Sequence, residues 1–252
     1  MGRSAMLAGA TGIVAVNTTV FRCEGATLTT DIKAAVDAAC LAAKLDYAFV
    51  DTRLQLSDFK LLAMDMDSTL ITIECIDEIA DMQGLKPQVA AITEAAMRGE
   101  ITDFKESLRQ RVALLKGVSL SSMDQVYRER LKLNPGAAEL VSACKAAGLK
   151  TLLVSGGFTF FTDRVQGELG MDYTRSNILE IKDGLLTGRM LDQAWGDICD
   201  GEEKRKMLLQ TCEQLGISPM QAIAVGDGAN DLPMLGEAGL GIAFRAKPLV
   251  KQ

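Results

Sequence analysis

The sequence contains no histidine among its 252 residues. This absence excludes Ser-His-Asp triads, histidine general bases and histidine metal ligands. Any hydrolytic chemistry in this chain therefore has to rely on carboxylates, lysine, cysteine or a bound metal ion.

Other features are scarce. The six cysteines are scattered without a Cys-x-x-Cys pair, which argues against a zinc cluster and for a reducing compartment. No apolar run approaches the ~18 residues that a membrane span needs. The net charge is −6 and the pI is about 4.9, so bulk charge does not favour nucleic acid or an anionic membrane as a partner. We expect a cytoplasmic protein with neither partner.

One short stretch organises the rest of the chain. Residues 61–64 are an apolar run typical of a buried strand, and Asp65 and Asp67 follow at once. Open α/β sheets place their active sites at the carboxyl ends of parallel strands. A buried aspartate pair is costly unless its charge is neutralised, for which a divalent cation is a usual solution. Taken alone, the stretch fits a solvated Asp-Ser-Thr turn equally well.

Two later strand-like runs, residues 151–154 and 222–225, each end in a polar loop, and a lysine lies between them. These polar residues are Ser155, Gly156, Gly157, Lys204, Gly226, Asp227, Gly228, Asn230 and Asp231. In this order, the four segments resemble the haloacid dehalogenase-like phosphatase superfamily, whose DxDx[TS] signature is matched by residues 65–69. The longer run through Glu74 is similar to members that act on O-phospho-L-serine. The resemblance covers about residues 61–248.

Alternating strand and helix patterns predict an α/β fold with a doubly wound, mostly parallel, Rossmann-like sheet. The predicted helices are 30–45, 74–83, 137–147, 158–169, 201–215 and 231–238, and the predicted strands are 47–50, 61–64, 151–154, 222–225, 240–244 and a hairpin over 177–191. The resemblance implies a small helical cap inserted after the first core strand. The predicted domains are an appendage (1–58), a core (59–73 and 133–252) and the cap (74–132).

The two ends of the chain depart from the family pattern. Residues 1–25 show little periodicity, while Thr30 is a candidate N-cap of the first helix. We favour a small appendage packed on the core over the remnant of a regulatory domain, and we assign it no function. Relatives usually continue past residues 246–248 into a further helix, whereas this sequence stops at Gln252. A less covered sheet face is therefore expected, and homodimerisation is left open.

The resemblance implies catalytic roles for four residues. Asp65 would be the nucleophile that forms an aspartyl-phosphate, and Asp67 would be the general acid and base. Ser155 and Lys204 would complete the catalytic set by contacting the phosphoryl group and balancing charge.

The resemblance also implies ligand contacts. Mg²⁺ would be held by Asp65, Asp227 and the backbone carbonyl of Asp67, with Asp231 holding its waters. Within the substrate O-phospho-L-serine, Glu74 would meet the ammonium and Arg111 the carboxylate. The full set of implied substrate contacts is Glu74, Phe104, Arg111, Ser155, Gly156, Gly157 and Asn230.

Several alternatives stay open at this point. By composition alone, Lys204 and Arg111 are ordinary solvated helix charges, and only the resemblance singles them out. The leading hypothesis is hydrolysis of phosphoserine as the last step of serine biosynthesis. The others are phosphoryl transfer to an alcohol such as homoserine, and a catalytically impaired, truncated paralogue that only binds.

Overall fold

The computed structural model describes residues 12–15, 21–51, 53–97, 100–101, 103–246 and 250. The chain divides into two compact units, Met1–Leu54 and Gln55–Gln252. The predictions made for residues 1–11, 247–249 and 251–252 lie outside the described residues.

The first unit holds an antiparallel pair of strands, β1 (Gly12–Ala15) and β2 (Phe21–Glu24), and one helix, α1 (Thr30–Ala43). The helix is capped by Thr29, one residue before the predicted cap, because the Thr29 hydroxyl accepts the N–H of Ile32 at 3.3 Å.

The predicted strand over residues 47–50 is wrong. This segment is irregular and joins no strand in the described part of the first unit. Tyr47 and Phe49 instead pack against Val36 and Cys40 of α1, and the Tyr47 hydroxyl donates to Asp37 at 2.6 Å. Packing on a helix thus replaces the strand pairing that the aromatic pattern favours.

The second unit is a six-stranded sheet flanked by helices. Its strands are β3 (Leu61–Met64), β4 (Lys150–Phe158), β5 (Tyr173–Lys182), β6 (Leu185–Leu191), β7 (Ala222–Gly226) and β8 (Leu240–Ala243). Its helices are α2 (Cys75–Met82), α3 (Lys86–Met97), α4 (Phe104–Leu114), α5 (Leu120–Glu129), α6 (Ala137–Ala146), α7 (Thr159–Leu169), α8 (Gly201–Leu215) and α9 (Leu232–Glu237).

The strand order is β6-β5-β4-β3-β7-β8, and every neighbouring pair is parallel except the β5–β6 hairpin. Side chains of β3 alternate between two apolar clusters: Leu62 and Met64 belong to one, and Leu61 and Ala63 to the other. A strand buried on both faces needs a continuous apolar run, which residues 61–64 provide. The predicted doubly wound α/β fold is therefore confirmed.

The hairpin turns at Asp183 and Gly184, whose φ angles are +52° and +76°. Positive φ at both central residues is the geometry that an Asp-Gly pair favours in a two-residue hairpin turn. Five of the described α-helices lie between β3 and β4 in sequence, and the first four of them, α2 to α5, fall within the predicted cap. Their separation from the core as a cap stays a prediction.

None of the described helices has the length and apolar composition that a membrane crossing requires.

Candidate active site

The site begins where β3 ends. The N–H of Asp65 still pairs with the carbonyl of Val225 on β7 at 3.0 Å, so the backbone of Asp65 is held by the sheet. Its buried carboxylate Oδ1 accepts a hydrogen bond from Lys204 Nζ at 2.7 Å. The same Nζ donates to Asp231 Oδ1 at 2.6 Å, and Lys204 has no exposed surface. The interpretation of Lys204 as a solvated helix charge is therefore wrong.

The loop after β7 carries two further aspartates. Asp231 Oδ2 accepts the backbone N–H groups of Asp227 at 3.0 Å and of Gly228 at 2.9 Å. A Cβ on Gly226 would lie 2.4 Å from Asp231 Cγ, so only glycine permits this close turn. Thr69 Oγ1 donates to Asp227 Oδ1 at 3.2 Å and links the loop to the stretch after β3.

Asp65, Asp227 and Asp231 are buried, and each offers a ligand atom within 4.8 Å of the others. Three carboxylates facing the single ammonium of Lys204 leave two negative charges uncompensated among these four groups. Burial, followed by repulsion from Asp231, raises the pKa of Asp65 well above its usual range, although Lys204 acts to lower it. An all-oxygen donor set with this charge fits a hard divalent cation.

Asp67 lies in the tight turn that follows Asp65, next to Ser68, whose φ is +57°. Its Oδ1 accepts the backbone N–H of Cys75 at 3.2 Å. Burial, followed by repulsion from Glu74, raises the pKa of Asp67 to about 7. A carboxyl group with this pKa can hold or release a proton near neutral pH, as a general acid and base must.

The Ser155–Gly157 segment lies beside Asp67. A Cβ on Gly157 would be 2.7 Å from Asp67 Oδ2 and 3.0 Å from Ser155 Oγ, so the two side chains converge on this glycine. The N–H of Gly157 donates to Ser155 Oγ at 2.9 Å, and α7 begins two residues later. The N–H of Gly157, a residue implied to contact the substrate, thus has an internal partner in this structure.

The helix α4 brings Phe104 to the same segment. A Cβ on Gly156 would lie 3.2 Å from Phe104 Cζ, so the ring covers Gly156. Arg111, two turns further along α4, is half-buried. Burial lowers its pKa, while the charges of Asp77, Glu74 and Asp67 act to raise it. The guanidinium therefore faces acidic groups of the site, and the interpretation of Arg111 as an ordinary solvated charge is wrong.

Glu74 and Asn230 are both engaged locally. Glu74 Oε1 accepts a hydrogen bond from Ser68 Oγ at 2.6 Å, so Glu74 borders the Asp67 turn. Asn230 Oδ1 would be 2.4 Å from a Cβ on Gly228, so its amide folds back on the Asp227 loop. The roles of all these residues stay predictions.

Two residues that the sequence analysis gave no role form hydrogen bonds between segments of the site. Thr69 belongs to the signature at residues 65–69, and its bond to Asp227 joins two loops that are 158 residues apart. Asn177 lies inside β5 with a fully buried amide. Asparagine is disfavoured in strands, and this was the only signal that marked it.

Comparisons with known proteins show the family and the fold of this chain. The sequence model of the haloacid dehalogenase-like hydrolases matches residues 59–239. A phosphoserine phosphatase from Polaromonas sp. is 79% identical over 199 residues, which cover 79% of this chain and 84% of that protein. A HAD family hydrolase from Salmonella enterica subsp. enterica serovar Typhi aligns with a TM-score of 0.80 and 37% identity, covering 89% of this chain and 74% of that one. A phospho-aspartyl intermediate analogue of phosphoserine phosphatase aligns with a TM-score of 0.70 and 39% identity, covering 77% and 90%.

Proposed function

Since the chain belongs to the haloacid dehalogenase-like hydrolase family, we propose that it hydrolyses O-phospho-L-serine to L-serine and inorganic phosphate. The observation that carries this proposal is the buried Asp65 carboxylate, which ends the central strand β3 and bonds Lys204. Asp67, with a pKa of about 7, lies two residues further on. A nucleophile and a proton donor are thus held at the same strand end.

The first half-reaction transfers the phosphoryl group to the protein. A carboxylate oxygen of Asp65 forms a bond to phosphorus, and the bond between phosphorus and the serine oxygen breaks. Protonated Asp67 donates its proton to the departing serine oxygen, so L-serine leaves as the neutral alcohol. The aspartyl-phosphate on Asp65 remains.

The second half-reaction releases phosphate. Asp67, now ionised, takes a proton from a water molecule as the water oxygen bonds to phosphorus. The bond between phosphorus and the Asp65 oxygen breaks, which restores the carboxylate and the protonated Asp67. Ser155 and the ammonium of Lys204 hold the phosphoryl oxygens and offset their charge in both halves.

We propose Mg²⁺ as the resident ion, bound by carboxylates of Asp65 and Asp227 and by the carbonyl of Asp67, with Asp231 holding its waters. When bound, Mg²⁺ would neutralise charge on the phosphoryl oxygens. The fit of the buried acidic cluster to a divalent cation supports this assignment.

We propose that residues 74–132 act as a cap that selects the substrate. Phe104 covers the Ser155–Gly157 segment, and Arg111 faces the acidic groups near Asp67. Glu74 would bind the substrate ammonium and Arg111 its carboxylate in a bidentate pair. Residues 1–58 remain an appendage without assigned function. The proposed setting is serine biosynthesis in the cytoplasm.

Phosphate release from phosphoserine tests the proposal directly. We expect Mg²⁺-dependent release of inorganic phosphate together with an equal amount of L-serine. Adding homoserine should leave this rate unchanged and produce no phosphohomoserine. Phosphohomoserine formation with a sharply raised turnover would identify a phosphotransferase. Binding of phosphoserine and Mg²⁺ without any phosphate release would identify an impaired paralogue.

A further inference from the structure

Asn177 occupies an unusual position for an amide. It lies in the interior of β5, and none of its surface is exposed. Its Nδ2 donates to the carbonyl of Gly156 at 2.8 Å, and its Oδ1 accepts the N–H of Cys199 at 2.8 Å. The two ends of one side chain thus bond the backbones of two separate segments.

The bond to Gly156 lies at a break in the regular pairing of the sheet. The pairing of β4 with β5 shifts register between Val154 and Phe158, and Phe158 lies opposite Asn177. The carbonyl of the half-buried Gly156 falls within this break, and a partly buried carbonyl outside the regular strand pairing needs another donor. Asn177 supplies that donor and thereby holds the segment that contains Ser155.

The second bond holds the start of α8. Cys199 precedes Asp200, whose carboxylate caps α8 by accepting the N–H of Glu203 at 2.9 Å. The carbonyl of Asp200 accepts the N–H of Lys204 at 2.9 Å. The position of Lys204 therefore depends on how residues 199 and 200 are held.

The same helix start also contacts the aspartate loop. A Cβ on Gly201 would lie 2.8 Å from the carbonyl oxygen of Asn230, so the two backbones are in close contact. A Cβ on Gly156 would lie 3.4 Å from the carbonyl oxygen of Cys199, so the Ser155 segment adjoins α8 as well. Asn177 thus bonds two segments of the site, and the second of them also contacts the aspartate loop.

We propose that Asn177 is a positioning residue for phosphoryl transfer, a proposal that rests on the proposed phosphatase function. It fixes the Ser155–Gly157 segment against the start of α8, so that Ser155 and Lys204 reach the same phosphoryl group. It acts through the backbones of Gly156 and Cys199 and not through a contact of its own with the substrate.

Two substitutions test this role. Asn177→Asp keeps the shape and an acceptor for Cys199 but replaces the donor to Gly156, whereas Asn177→Ala removes both bonds. We expect both to lower kcat/KM by ~10- to 100-fold, because a small misplacement of groups that hold the reacting atoms is costly. The loss should be equal for phosphoserine and p-nitrophenyl phosphate, and inhibition by inorganic phosphate should weaken, since the phosphoryl group is common to all three.

Ser176→Ala is the matched control. Ser176 is the buried neighbour of Asn177 on β5, and its hydroxyl bonds Thr162 Oγ1 at 2.7 Å. We expect this substitution to lower Tm but to leave kcat/KM per folded molecule and the phosphate inhibition constant unchanged.

Two results would overturn the proposal. One is that either Asn177 variant lowers Tm as Ser176→Ala does while keeping wild-type kcat/KM and phosphate inhibition. The other is a loss confined to phosphoserine, which would place Asn177 at the amino-acid end of the substrate. A wild-type protein that hydrolyses p-nitrophenyl phosphate but not phosphoserine would contradict the proposed function alone, because the Asn177 comparison can be made with the former substrate.

Discussion

Asp65 and Asp67 are two residues apart, yet their surroundings differ. Asp65 bonds the ammonium of Lys204, which holds one carboxylate oxygen in place. Asp67 accepts the backbone N–H of Cys75, and burial, followed by repulsion from Glu74, raises its pKa to about 7. Burial raises the pKa of both carboxyls, but of the two only Asp65 accepts a hydrogen bond from the Lys204 ammonium, which suits Asp65 to attack and Asp67 to carry a proton.

Substituting each aspartate should separate the two roles. We expect Asp65→Asn to abolish turnover, because an amide cannot form the acyl-phosphate. Asp67→Asn should keep Mg²⁺ binding through its backbone carbonyl but lose proton transfer, with a fall of ~10²- to 10⁴-fold in kcat. Steady-state phosphate release measures both effects. Mass spectrometry after phosphoserine treatment should locate the phosphoryl group on Asp65, and a group on any other residue would refute the mechanism.

Substitutions of Arg111 and Glu74 should affect two substrates to different extents. Loss of a charge-assisted pair costs about 1.5–3 kcal/mol, so Arg111→Ala should lower kcat/KM for phosphoserine by ~10- to 100-fold. Activity on p-nitrophenyl phosphate should change much less, because that substrate has neither ammonium nor carboxylate. Glu74→Gln should also lower kcat/KM more for phosphoserine than for p-nitrophenyl phosphate. The difference should be smaller, since Glu74 lies closer to Asp67.

Arg109→Ala is the control for this comparison. Arg109 lies on the same helix, and its guanidinium bonds Asp197 at 2.5 Å. Its substitution should not discriminate between the two substrates. If Arg111→Ala lowered kcat/KM equally for both substrates, Arg111 would contact the phosphoryl group. Phosphoserine would then lose its support as the substrate.

At the scale of elements, strand ends and helix starts assemble the site. The carboxyl ends of β3, β4 and β7 present Asp65, Ser155 and Asp227, and parallel pairing brings these ends to one edge. Lys204 comes from the first turn of α8, the helix that Asp200 caps. Positions far from this edge, such as the β5–β6 turn and the later turns of α7, then affect stability without contacting the site residues.

Two glycines outside the site should respond to alanine with opposite signs. Gly184 has a φ of +76° and open space around its Cβ position, so Gly184→Ala should destabilise the protein by ~1–2 kcal/mol through backbone strain. Gly167 lies exposed inside α7, also with open space, so Gly167→Ala should stabilise it by ~0.5–1 kcal/mol. Urea unfolding midpoints measure both changes in stability. Two shifts of the same sign would contradict the claim that the turn requires a positive φ at Gly184.

At the scale of the whole molecule, charge is the main constraint. The chain carries a net charge of −6, and three of its carboxylates are buried around one lysine. Such a cluster opposes folding until a cation compensates it. Stability should therefore be coupled to metal binding.

Magnesium should raise the melting temperature of the whole protein. A ligand that binds only the folded state at 100 times its Kd adds about 2.7 kcal/mol of stability. We expect EDTA to remove this gain and to abolish phosphate release, and added Mg²⁺ to restore both. Asp227→Asn should lose the Mg²⁺-dependent shift in melting temperature, whereas Asp172→Asn, a change just before β5, should keep it. An equal Mg²⁺ shift in the Asp227 variant would exclude the proposed site.

The sequence by itself determined the α/β class, the core strands and helices, and the family, because these depend on local periodicity and on motifs such as residues 65–69. Comparisons with known proteins confirm that family, while the individual site roles stay predictions. The local sequence pattern wrongly predicted a strand over residues 47–50, where packing on α1 takes the place of strand pairing. Only the tertiary structure decided that Lys204 is buried between Asp65 and Asp231, and that Asn177 joins Gly156 to Cys199. Both arrangements join residues more than 20 positions apart, and burial and hydrogen bonding at that range depend on the assembled sheet and leave no periodic trace in the chain.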